Sequence, residues 1–272
     1  MSDHDPVPGK AISRDGTPIA YWRSGSGPPL VLVHGTTADH TRWQMVLPLL
    51  EPHATVCAMD RRGRGASGDA GRYCLAAEAG DVAAVVDAVA DATGGPVDVF
   101  GHSFGAHCAL EAALLTGSVR RLVLYEPAVV AVTPPGWLDR MTELLAAGRR
   151  EEVVISLLCD LAGMTAEQLE LARSQPSWAN RIATAHTVIR ETRAEDDYRL
   201  DPARFAGLTV PTLLLAGSES PPELAASTDA LAAALPGARV VTLAGHGHVA
   251  MLTAPDLFCS EVLAFLREGE AS

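Results

Sequence analysis

Short apolar runs alternate with longer helical segments along almost the whole chain, and this alternation is what most constrains its fold. Two strands, over 10–14 and 18–24 with a turn at Asp15-Gly16, precede Leu30-Val31-Leu32-Val33, an unbroken apolar run typical of strands covered on both faces. Ala54–Met59, Val97–Phe100, Leu122–Tyr125, Thr212–Ala216 and Arg239–Leu243 read the same way. Between them Arg42–Leu50, Ala76–Ala92, Gly105–Thr116, Pro222–Leu235 and Ala254–Arg267 read as helices. This order predicts an α/β fold, with a mostly parallel eight-stranded sheet and helices on both faces. The alternation breaks once. From 131 to 205 there is no convincing strand, only helical pieces at Trp137–Ala147, Glu151–Leu161, Ala166–Arg173 and Trp178–Thr192. About seventy helical residues exceed a simple crossover. They predict a core of 1–130 and 206–272 carrying a helical lid, 131–205.

Composition excludes several classes of function. The 33 acidic residues against 21 basic ones leave a net charge of −12, a field that repels phosphate backbones, so no nucleic-acid partner is expected. No run approaches the length of a membrane span, about 20 apolar residues. The opening Met1-Ser2-Asp3-His4-Asp5 is acidic where a secretory signal is basic and then apolar. The five cysteines are an odd count with no CxxC pair, which fits reduced thiols in a cytoplasmic protein. Cys108 and Cys159 lie in apolar helical runs and read as small core residues. The expected partner is a small-molecule substrate; the sequence leaves the oligomeric state open.

Gly101-His102-Ser103-Phe104-Gly105 carries the chemistry. It follows the strand Val97–Phe100 and opens a helix, the strand–turn–helix setting that gives G-x-S-x-G its meaning. A serine at so sharp a turn is held in a strained backbone. The glycines on either side let strand and helix pack close around it, and the helix N-terminus presents N–H groups where an oxyanion would form.

With this motif the chain resembles the α/β-hydrolase family, over nearly its whole length. His34-Gly35-Thr36-Thr37 is similar to that family's HG oxyanion loop. Asp60-Arg61-Arg62-Gly63-Arg64-Gly65-Ala66-Ser67-Gly68 is similar to its D-x-R-G-x-G-x-S turn, and Gly245-His246-Gly247-His248 to its histidine loop. The resemblance implies Ser103 as nucleophile, His248 as base, and an oxyanion hole formed by the N–H groups of Phe104 and Thr36, with Thr37 as a substitute. His34 reads as a brace for its loop, and His107 as a packed, hydrogen-bonded core histidine. His246 falls on the variable position. No acidic or cysteine cluster stands near the His-x-His pair, so no metal is expected, and with no Rossmann or P-loop glycine pattern no other cofactor is expected either.

The acid departs from the commonest family pattern. Where many members carry Asp after the seventh strand, this chain has Ser220, in Gly217-Ser218-Glu219-Ser220-Pro221-Pro222, and serine cannot steady an imidazolium. Glu126, ending the sixth strand where some branches place their acid, is preferred over Glu219. The aromatic residues Trp43, Tyr125, Trp137 and Trp178 are expected near the substrate, where apolar walls suit a moderately hydrophobic acyl or alcohol portion. The expected activity is therefore esterase-like (EC 3.1.1): cleavage of a carboxylic ester or lactone through an acyl-enzyme on Ser103. Carbon–carbon bond hydrolysis, perhydrolysis, and acyl transfer or thioester cleavage share the same constellation. A non-catalytic ligand-binding protein on the same fold is the alternative from another class.

Overall fold

A computed structural model describes residues 6–69, 72–130 and 133–268. The acidic opening 1–5, the first two residues of the expected insertion, 131–132, and the terminal 269–272 lie outside the described residues. Eight strands form one sheet: β1 (Val7–Ile12), β2 (Pro18–Gly25), β3 (Pro29–Val33), β4 (Thr55–Met59), β5 (Val97–His102), β6 (Val119–Tyr125), β7 (Thr212–Gly217) and β8 (Arg239–Leu243). Their spatial order is β1-β2-β4-β3-β5-β6-β7-β8. β1 and β2 pair antiparallel, as do β2 and β4; from β4 through β8 every pairing is parallel.

The two-residue period of a strand divides the core in two. Leu30, Leu32, Phe100, Val123 and Leu213 face one side, where Trp43 and Phe258 each meet Phe100 edge-on at 5.4 Å. Such pairs add about 0.5–1.5 kcal/mol beyond the area they bury. Val31, Val33, Val99, Leu122 and Leu124 face the other side, against the helix Leu75–Thr93 and the helix Phe104–Ala112. Strand order reverses at β3, whose neighbours β4 and β5 follow it in sequence on opposite sides. The loops leaving β3 and β5 therefore open a crevice at the carboxyl edge, where α/β sheets bind ligands.

Two helical expectations need correction. The segment 42–50 is not one helix but a tight turn, His40–Trp43, followed by a single turn, Leu47–Leu50. Pro48 supplies no N–H and would clash with the carbonyl four residues back, so the ladder stops before it. The expected helix 178–192 breaks at Thr184–Thr187, where the Thr184 hydroxyl donates to Arg181 O and the Thr187 hydroxyl to Thr184 O, diverting backbone acceptors. Between β6 and β7 the chain is helical as expected: Trp137–Ala146, Arg150–Ser156, Ala166–Arg173, Trp178–Ala183 and Val188–Asp197. Leu157–Leu161 winds as a wider π-type turn that leaves Cys159 only half-buried, unlike the buried Cys108. Among the described residues no helix is long and apolar enough to cross a membrane.

Candidate active site

Ser103 stands between β5 and the helix Phe104–Ala112 with φ 55° and ψ −129°, a conformation sterically costly for a residue with a Cβ. Only glycine tolerates the crossing around it. A Cβ on Gly105 would lie 2.3 Å from His34 O, and one on Gly101 2.5 Å from Ala106 Cα. The turn therefore presses against the loop leaving β3, and the Gly35 position comes within 3.0 Å of Ser103 Cβ when a Cβ is built there. Phe104 is the first helical residue, and the first N–H groups of a helix have no intrahelical acceptor. Thr36 and the positive-φ Thr37 follow Gly35 on the facing loop.

The residue that partners His248 is Glu126. Its side chain is fully buried, and Oε2 accepts from His248 Nδ1 at 2.7 Å while Oε1 accepts from the Gly217 N–H at 2.6 Å. A carboxylate here can only accept, so the shared proton sits on Nδ1 and leaves Nε2 as the acceptor in the neutral ring. Glu219 is exposed and among the described residues takes only the neighbouring Ser218 hydroxyl. Glu126 itself has φ 47°, a bend that turns its side chain back over the ends of β6 and β7. The histidine loop is fixed from beneath. Tyr125 donates its hydroxyl to Gly247 O and accepts from Ala250 N–H, and His102 Nε2 donates to His248 O at 2.8 Å. Burial, then the neighbouring His248 and Arg42, holds His102 well below the usual imidazole range, so it stays neutral.

Ser103, His102 and His248 share one cavity with Gly35 and Thr36. It encloses about 640 Å³, part of it open to solvent. Its far wall is the helical insertion, through Leu157, Leu158, Leu161, Arg181 and Glu195. A buried ionic network ties that insertion to the core. Glu191 takes Arg61 at 3.2 Å and Arg64 more closely, while Arg61 also holds Glu78 at 2.7 Å. Burial alone would raise the Glu191 carboxyl; Arg61 and Arg64 overcome it and hold it at about 2. His34 completes the brace, its Nε2 accepting from the Arg61 N–H at 3.1 Å.

The model of the alpha/beta hydrolase family matches residues 30–261. The chain belongs to that family. A crystal structure of an alpha/beta hydrolase from Sphaerobacter thermophilus is similar to it with a TM-score of 0.80 and 36% identity, over 95% of this chain and 100% of that one. A pimeloyl-acyl-carrier-protein methyl ester esterase of Xylella fastidiosa is 29% identical over 85% of this chain and 91% of its own length. Pyrrolizixenacetamide deacetylase of Xenorhabdus hominickii is 38% identical, but the match spans only 39% of this chain and 40% of that protein.

Within this hydrolase framework the four aromatic residues expected at the substrate lie elsewhere. Trp43 is fully buried against Phe100, and Tyr125 is buried beneath the histidine loop. Trp137 packs into the core with its indole N–H on Ser156 Oγ, and Trp178 donates to Glu151. Large aromatic faces gain most from full burial, so they serve packing rather than the cavity wall. His107 is buried between Phe104 and Tyr198, as a core residue should be, but neither ring nitrogen has a hydrogen-bond partner among the described residues, contrary to expectation. Burial pushes it down to about 4, which removes the charge. His246 is half-buried and among the described residues its ring reaches only Thr253. Sequence reasoning missed Arg42, Arg181, His102 and Glu195 on the cavity wall; only the variable position of G-x-S-x-G signalled one of them. Among the described residues no group of three or more His, Cys, Asp or Glu side chains is arranged to hold a metal ion.

Proposed function

We propose that this chain is a serine hydrolase that cleaves a carboxylic ester or lactone of a small substrate. The observation that carries the reading is Ser103 on a strained turn, sharing a cavity with a histidine whose Nδ1 is held by a fully buried carboxylate at 2.7 Å. In this mechanism His248 Nε2 takes the proton from Ser103 as the hydroxyl attacks the carbonyl carbon. The N–H groups of Phe104 and Thr36 stabilise the resulting oxyanion, each contribution typically worth about 3–4 kcal/mol. His248 then delivers its proton to the leaving alcohol, and an acyl-enzyme forms on Ser103. A water deprotonated by the same imidazole attacks the acyl carbon and releases the acid. Glu126 fixes the tautomer and steadies the imidazolium. The insertion, roughly 131–205, serves as the lid that excludes bulk water and shapes the pocket. The similarity to a protein named as a methyl ester esterase supports this reading.

The test is hydrolysis of p-nitrophenyl esters, acetate through decanoate, by wild type and Ser103→Ala. Turnover that falls by about 10⁵-fold or more in the variant is expected. Turnover equal in both proteins contradicts the assignment. Absence of ester turnover despite covalent labelling of Ser103 points to carbon–carbon cleavage or acyl transfer instead, and absence of both points to ligand binding.

A further inference from the structure

The cavity beside Ser103 is lined by two buried arginines that form no ion pair among the described residues. Arg42, in the turn His40–Trp43, and Arg181, on the helix Trp178–Ala183, both line it. They are 8% and 6% exposed. Among the described residues Arg42 Nη2 reaches only the thioether of Met251, at 2.9 Å, and its buried Nε has no partner. Arg181 donates Nη1 to the Thr37 hydroxyl at 3.0 Å. Among the described residues neither guanidinium has a carboxylate within the 4.0 Å of an ion pair. By contrast, Arg61, Arg62 and Arg64, equally buried, are each paired with an acid.

Burial, and then the charge of Arg181, draws Arg42 down to about 9; burial draws Arg181 down to about 10, partly offset by Asp39. Both remain charged at neutral pH. The nearby acids form no ion pair with them, although the charge of Asp39 favours that of Arg181. Asp39 accepts from the Thr41 N–H and hydroxyl. Glu195, across the cavity, is pushed up to about 8 by burial and by Glu191, which disfavours its charged form at neutral pH. Two like charges held out of water beside a reacting serine are stabilised by a ligand that brings the counter-charge.

We propose that Arg42 and Arg181 form a carboxylate subsite, and that the substrate is a monoester or lactone bearing a free carboxylate, of the kind derived from a short dicarboxylic acid. The planar guanidinium forks match the two oxygens of that carboxylate, and one anion between them relieves their mutual repulsion. Binding there leaves the ester carbonyl toward Ser103, between walls formed by Leu157, Leu158 and Leu161. This inference rests on the hydrolase reading above, and its test separates the two.

The experiment compares kcat/KM for p-nitrophenyl hemiglutarate and for p-nitrophenyl pentanoate, which has the same acyl length without the charge. Wild type should prefer the charged ester by about 10²-fold or more. Arg42→Met and Arg181→Met should each lower that ratio by about 10-fold or more. Calorimetric titration of glutarate into Ser103→Ala should show binding that dimethyl glutarate does not. Turnover of the pentanoate with no preference for the hemiglutarate overturns the subsite and leaves the hydrolase intact. So does a preference that both arginine variants preserve. If no ester is cleaved, the ester-hydrolase reading fails, and glutarate binding alone decides the subsite: none overturns it. The wild-type ratio and the titration stand even if a Met variant does not fold.

Discussion

The two walls of the cavity are built on different principles. On the strand-end wall, the polar groups that position one another all have partners: Glu126 uses both oxygens, His248 its Nδ1, His102 its Nε2 and Tyr125 its hydroxyl. On the insertion wall, Arg181 and Glu195 face the cavity with no ion pair among the described residues. The strand-end wall is rigid because its positions are dictated by backbone crossings, such as Gly105 against the loop at His34. The insertion wall is tied to the core at Glu191, at Arg190 through Asp69 and at Arg181 through the Thr37 hydroxyl, yet Arg181 has no ion pair among the described residues. On the proposed reading the strand ends carry the chemistry, and the insertion together with the turn at Arg42 carries the selectivity.

Four perturbations sharpen or break this contrast. The largest effect belongs to the acid: Glu126→Gln should lower kcat by about 10³–10⁴-fold, while Glu219→Gln changes it by less than about 2-fold. Steady-state kinetics on the best ester checks both, and the reverse ranking would place the acid on the wrong strand end. Next, Gly105→Ala forces a Cβ to within 2.3 Å of His34 O and should destabilise the fold by about 3 kcal/mol or more, measured by urea denaturation. Stability near wild type would mean the crossing can relax. Tyr125→Phe removes the donor to Gly247 O and the acceptor for Ala250 N–H, and should cost about 1–3 kcal/mol in the same assay.

The last perturbation concerns the insertion wall and depends on pH. The Glu195 carboxyl is raised in the folded protein from about 4.5 to about 8, so the unfolded chain releases this proton first. Its contribution is fully present below about pH 4.5 and is lost as pH rises through about 8. Glu195→Gln should therefore match wild type in Tm at pH 5 and exceed it by a few degrees at pH 9. A constant difference across that range would mean that Glu195 is solvated in the native state.

The strand-end wall was legible in the sequence because each of its groups is tied to a motif whose position follows from chain order. The elbow after β5, the loop after β3 and the histidine loop after β8 converge once the sheet order is known. Glu126 was legible from a substitution, Ser220 standing where an acid is common. The insertion wall was not. Arg42 and Arg181 are far apart in sequence, and nothing in either local pattern says that the insertion folds back over the oxyanion loop. The aromatic residues misled for a related reason. A tryptophan announces that a large apolar surface will be buried but not against what, and Trp43 found Phe100 rather than the cavity. The break at Thr184–Thr187 likewise depends on hydroxyls choosing backbone acceptors, which helical periodicity does not register.

The central claim is that Ser103 is a nucleophile activated by His248. The most direct measurement is labelling with a fluorophosphonate probe, with the modified peptide located by mass spectrometry. One label per chain is expected, on Ser103, absent from Ser103→Ala and strongly slowed in His248→Ala. An unlabelled wild-type protein, or a label on any other residue, would contradict it.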